Sequence, residues 1–125
     1  MTAPQKVILH RRSKTLELAW PDASFTLSAE YLRVCSPSAE VRGHGGQNEV
    51  LQVGKRDVAI SKIAPSGHYA VQISFDDGHD TGLYSWHYLR ELAENFAERW
   101  AAYLQALKAA NQSRDADTSI VKFIN

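Results

Sequence analysis

Carboxylates, an imidazole and glycines crowd into one short stretch, Asp76-Asp77-Gly78-His79-Asp80-Thr81-Gly82. Three carboxylates with one imidazole form a donor set able to converge on a divalent cation, zinc or iron among them. The same residue types also build turns unaided, because Asp bonds nearby backbone and Gly reaches positive φ. The stretch therefore reads first as a turn and second as a ligand set. Cys35 is the only cysteine, and His44 lies in the loop that follows it. With His79, either would move the set toward a Lewis-acid centre. Other chemistries lack their signatures. No Gly-rich loop runs into Lys-Ser or Lys-Thr, and there is no dinucleotide fingerprint and no Gly-x-Ser-x-Gly elbow. A lone cysteine provides no zinc-type pair, and nothing local supplies it with a base.

The elements that must position these residues follow from periodicity. Leu16, Leu18 and Trp20 alternate with polar neighbours, as a half-buried strand requires. Pro21-Asp22-Ala23-Ser24 is a turn, and Phe25-Thr26-Leu27 completes a hairpin. Ser28 is placed to cap a short helical turn over Ala29-Glu30-Tyr31-Leu32-Arg33. From Cys35 to Gln47 the pattern lapses into a glycine-punctuated loop. Val50 to Val53, Val58 to Ile63 and Tyr69 to Phe75 read as three further strands, with Pro65-Ser66-Gly67 turning between the last two. Gly82-Leu83-Tyr84 leads into a helix capped by Ser85 and free of Gly and Pro as far as Ala110. Its stripe of Leu89, Leu92, Ala93, Phe96, Trp100, Tyr103, Leu104 and Leu107 packs against a partner surface.

These readings predict an α+β fold: a mainly antiparallel sheet of about five strands packed against one long C-terminal helix. A single domain spans 1–125, with the long helix at 86–110 and a tail at 111–125. The aromatic far end of that helix offers a surface for homo-oligomerisation. Residues Asn111 to Thr118 are expected to be loose, and Ile120, Val121, Phe123 and Ile124 to dock on the core or a neighbour.

Composition narrows the function classes. The chain has 125 residues, 44% hydrophobic and 22% charged, so a core can form without disulfides or metal. Fourteen basic residues balance fourteen acidic ones, which argues against a nucleic-acid partner, since counterion release needs a positive surface. His10-Arg11-Arg12 with Lys14 is the one dense basic run and reads as a solvated N-terminal arm. No apolar run approaches the roughly 20 residues that cross a bilayer, and the first residues lack the pattern of a signal peptide. The expectation is a cytoplasmic protein with a free thiol and no membrane partner.

Several strings together carry a family resemblance. They are Leu16-Glu17-Leu18-Ala19-Trp20, Leu32-Arg33, Ser36-Pro37-Ser38-Ala39-Glu40-Val41-Arg42-Gly43-His44, and above all Asp77-Gly78-His79 through Gly82-Leu83-Tyr84-Ser85-Trp86-His87-Tyr88-Leu89. Over residues 10–95 the chain resembles the gamma-butyrobetaine hydroxylase-like N-terminal domain. In the hydroxylase this domain precedes a separate oxygenase domain, so the resemblance implies no hydroxylase activity here. In metal-binding members three cysteines after Leu-Arg and the histidine of Asp-Gly-His hold zinc. Here the ungapped cysteine positions are Ser36, Ser38 and Val41, while His79 matches the histidine. Cys35 falls one residue early. The resemblance thus implies that the inherited zinc site is lost.

Two functions follow as expectations. The first is a non-catalytic binding or accessory module with a protein partner. Similar domains are add-ons to larger proteins, including P-loop scaffolds that deliver iron–sulfur clusters, which links this module to metal or iron–sulfur cofactor maturation. The second is a small metal-binding protein or metal-dependent enzyme, with His79, His44, Cys35 and Asp77 as its candidate ligands.

Overall fold

A computed structural model describes residues 2–43 and 49–116. Two antiparallel meanders form it. Strands β1 (Lys6–His10), β2 (Thr15–Ala19) and β3 (Ser24–Ser28) make the first, and β4 (Ile60–Ser66), β5 (Ala70–Phe75) and β6 (Gly82–Ser85) the second. Helix α1 (Ala29–Val34) and the single turn α2 (Ala39–Arg42) lie between the sheets in sequence, and α3 (Trp86–Glu94) and α4 (Phe96–Ala109) follow them.

The alternating residues do what their spacing requires. Leu16 and Leu18 of β2 are fully buried, while Val71, Ile73 and Phe75 of β5 turn inward together. They join Leu27, Tyr31, Leu32, Tyr84, Leu89 and Leu92 in one apolar cluster drawn from both sheets, α1 and α3. Ser28 caps α1 by accepting the Tyr31 N–H at 3.0 Å, and Ser85 caps α3 by accepting that of Tyr88 at 3.0 Å. Both caps match the sequence reading.

The single five-stranded sheet does not. Val7-Ile8-Leu9 belongs to a full strand, and Gly82–Ser85 is a strand rather than the approach to a helix. Val50 to Val53 is not a strand; Val50 N–H bonds Val41 C=O, and Gln52 C=O accepts the Tyr103 hydroxyl at 2.7 Å. Those backbone groups find partners outside any ladder. Pro65, expected in a turn, sits inside β4, which among the described residues is an edge strand paired with β5, the kind of strand that tolerates a missing ladder donor.

The long helix is two helices. At Asn95 (φ −110°, ψ 23°) the chain leaves helical geometry, and the Asn95 amide Nδ2 donates to Glu91 C=O at 2.9 Å. A short amide side chain that bonds the preceding turn competes with the backbone ladder, and the axis breaks there. At the far end Asn111 takes φ 57°, and the Gln112 N–H reaches Leu107 C=O at 2.9 Å, a Schellman stop with Asn in the left-handed position.

The basic run, and the described part of the segment read as loose after α4, are tied down; residues 117 and 118 lie outside the described residues. Arg11 and Lys14 belong to the β1–β2 hairpin loop rather than to an arm, and donate to the carbonyls of Ser61 (3.3 Å) and Asp57 (3.0 Å). After α4, Ser113 and Arg114 carbonyls accept from Gly54 and Arg56, and Arg114 grips Glu30 with two bonds of 2.8 and 2.7 Å. The apolar residues Ile120, Val121, Phe123 and Ile124 lie outside the described residues. No described helix is long and apolar enough to cross a membrane.

Candidate functional site

Strand β5 ends at Phe75, and the chain turns back at Gly78, whose φ of +91° strains any other residue. The Phe75 N–H bonds His79 C=O at 2.9 Å and closes the turn. Asp77 fixes it from outside. One carboxylate oxygen accepts the His79 N–H (3.1 Å); the other accepts from Arg33 Nε (2.8 Å) and Lys55 Nζ (2.6 Å). Partial burial pushes the Asp77 carboxyl up, but the bonds from Lys55, the His79 N–H and Arg33 outweigh it and hold the pKa down at about 2. Both carboxylate oxygens are thus committed within the protein.

The turn delivers His79 to the loop after α1. Its Nε2 lies 2.8 Å from Ser36 Oγ and 3.3 Å from Ser38 Oγ, and its Nδ1 lies 3.3 Å from Glu40 Oε2. Burial, then the Arg33 charge, lowers the imidazole pKa despite the opposing pull of Glu40 and Asp77. In the tautomer with its proton on Nδ1, toward Glu40, the neutral ring accepts from the serines at Nε2. Ser38 opens α2, yet its hydroxyl makes no cap bond there; it turns to the imidazole. Ser36 Oγ also accepts the Ser38 N–H at 3.3 Å. Among the described residues no buried side-chain polar atom lacks a partner.

Hydroxyl, imidazole and carboxylate in sequence form the order of a nucleophile–base–orienter relay. Access is what they lack. Ser36 is 1% exposed, and a Cβ placed on Gly82 of β6 would stand 2.7 Å from Ser36 Oγ and 3.0 Å from Tyr84 Cε1. The strand packs so closely on the hydroxyl that a reacting carbonyl has no room beside it. Gly82 is therefore a structural requirement of the cluster.

The structure brings together Ser36, Ser38 and His79 and buries Val41 in the helical turn beside them. It gives Asp77 to Arg33 and Lys55, and it turns Cys35 into a neighbouring groove. His44 lies outside the described residues. Among the described residues no group of three or more His, Cys, Asp or Glu side chains is placed to hold a metal. One imidazole with two hydroxyls fits zinc poorly, since structural zinc takes four nitrogen or sulfur donors. Sequence reading missed Glu40 and Gly82. The one available signal was a glycine directly before the apolar pair Leu83-Tyr84, since glycine in a strand can mark a close backbone approach.

The groove has a different character. It encloses about 560 Å³ between Val41, Val50, Ala102 and Ala106, with Tyr88, Arg42 and Arg99 along it. The Tyr88 hydroxyl donates to Cys35 C=O at 2.6 Å, which fixes the ring. The Arg42 guanidinium lies 4.6 Å and that of Arg99 5.7 Å from the ring centroid. Arg99 is paired with Glu91, whereas Arg42 makes no ion pair among the described residues. Burial pushes the Cys35 thiol up to about 11 against both arginines, so it stays protonated at neutral pH and is no nucleophile.

Comparison with known proteins agrees with this architecture. Two proteins solved in solution by NMR are similar throughout. One is 52% identical with a TM-score of 0.84, covering 97% of this chain and 96% of its own. The other is 49% identical with a TM-score of 0.79, covering 93% and 87%. A crystal structure of a protein of unknown function from Acidithiobacillus ferrooxidans ATCC 23270, of the DUF971 family, is 36% identical with a TM-score of 0.61 and covers 72% and 91%. No curated protein matches the chain. Residues 7–90 match the family described as gamma-butyrobetaine hydroxylase-like, N-terminal, and the chain belongs to that family.

Proposed function

We propose that the domain is a non-catalytic binding module that engages a protein partner through the groove beside Tyr88. One observation carries this reading. The polar residues at the family's ligand positions satisfy one another inside the protein, whereas the adjoining groove presents the Arg42 guanidinium with no ion pair among the described residues. A buried, satisfied network holds geometry; an open cavity with a few convergent polar groups binds. The family resemblance suggests metal or iron–sulfur cofactor maturation as the setting. Balanced charge gives no support to a nucleic-acid or membrane partner. A second copy of the chain is a further candidate, because Phe96 and Leu104 stay about two-fifths exposed on α4.

The test is partner capture from native extract with the wild-type chain beside Ala106→Arg, which fills the groove from an exposed helix position. A partner retained by the wild type and lost by Ala106→Arg supports the module. Equal capture by both removes the groove from the account.

A second reading makes the chain a metal-binding protein or metal-dependent enzyme centred on His79 and His44 with Cys35 and Asp77. Burial favours the neutral His79 ring, the form that ligates metals, and this is the observation on its side. Against it stand the serine bonds to Nε2 and the ion pairs of Asp77.

A further inference from the structure

We infer that the Tyr88 groove recognises a carboxylate attached to a short apolar body, a proposal that rests on the binding-module reading and names its ligand chemistry. Arg42 supplies the anion contact. Its guanidinium is held 4.6 Å over the Tyr88 ring, and among the described residues no carboxylate lies within ion-pair distance. A fixed guanidinium fork matches the two oxygens of a carboxylate. Arg99 stands on the same ring but is already paired with Glu91, so it shapes the field without offering a second free fork.

Charge balance sets the ligand class. Glu91 offsets Arg99 through its ion pair, and Glu49 stands elsewhere on the groove wall, so the groove carries little net positive charge. That suits a singly charged anion better than a doubly charged phosphate, which would need more uncompensated cations. The remaining wall is apolar, with Val41, Val50, Ala102 and Ala106, and takes up a short hydrocarbon stem beyond the charged head. A volume of about 560 Å³ lies within the roughly 300–1,000 Å³ typical of small-ligand sites. The carboxylate can come from a free small acid or from the C-terminus of a peptide chain, and the chemistry is shared.

The experiment is an amide NMR titration of the full chain with hexanoate, hexanamide, an acetylated tripeptide ending in valine, the same peptide amidated, and inorganic phosphate. Both acids are expected to shift the amides of Arg42, Tyr88, Ala102 and Ala106, with a Kd of about a millimolar for the small acid. Their amides are expected to bind at least about tenfold more weakly, as is either acid to Arg42→Gln. Glu49→Gln, which removes a competing carboxylate, is expected to tighten binding. The tighter of the two acids identifies the source. The inference is overturned if acid and amide bind alike, if phosphate binds better than both acids, if Arg42→Gln binds as the wild type does, or if the groove amides do not shift. Groove-dependent partner capture alongside any of those results leaves the module standing and removes only the carboxylate.

Discussion

The Ser36–Ser38–His79 cluster and the Tyr88 groove lie side by side, and they spend their polar groups in opposite ways. In the cluster each hydroxyl and both ring nitrogens face a partner, and Gly82 of β6 packs closely on Ser36. In the groove the Arg42 guanidinium rests on the Tyr88 face and makes no ion pair among the described residues. The first arrangement gains its strength from exclusion of water, and the second keeps a charged donor where a ligand can reach it. Residues with the chemistry of a site can therefore be structural, while an open groove begins one helical turn away at Arg42.

The largest effect that would sharpen this contrast comes from restoring thiolates. With His79 kept, Ser36→Cys, Ser38→Cys and Val41→Cys together are expected to bind one equivalent of zinc. At zinc about 100-fold above its Kd the variant should gain about 2.7 kcal/mol in urea unfolding. Absence of zinc binding would mean that the cluster does not preserve the ligand geometry. Gly82→Val comes next. Its side chain must displace Ser36 or Tyr84, and chemical denaturation should show a loss of about 2–3 kcal/mol.

A smaller effect is expected from pH. The folded-state pKa of His79 is lowered from 6.5, so unfolding the chain lets that ring take a proton it refuses in the fold. Stability is then complete above about pH 6.5 and falls as pH drops below it, and His79→Gln should flatten that limb. Asp77 adds a separate acid limb. Its pKa falls from 3.8 to about 2, so its contribution persists above pH 3.8 and is lost as pH falls through about 2. Smallest of all, Arg42→Gln should cost no more than about 1 kcal/mol in stability, the scale of one cation–π contact, while it weakens ligand binding.

Local rules carried much of the fold. Alternation located β2 and β5, and the hydroxyls of Ser28 and Ser85 marked both helix starts. What failed was tertiary. No local pattern separates one sheet from two, because strand partners are chosen by long-range packing. Val50 to Val53 has strand composition, yet its backbone is used by Val41 and Tyr103. Asn95 was read through as helix because its side-chain bond to Glu91 is a matter of geometry rather than period. At the site, the family pattern placed Ser36 and Ser38 with His79, and the structure joins them. Asp77 was read as a ligand candidate because its partners Arg33 and Lys55 are remote in sequence. Arg42 stood in a family string without any role attached, and its place over Tyr88 emerges only when α2 and α3 come together.

The central claim is that His79 serves the fold through the two serines and does not hold a metal. The direct measurement is the metal content, by mass spectrometry, of untagged protein purified without chelators, beside His79→Ala. The account predicts substoichiometric metal that is the same in both proteins. One equivalent of a divalent metal in the wild type, lost on His79→Ala, would contradict it.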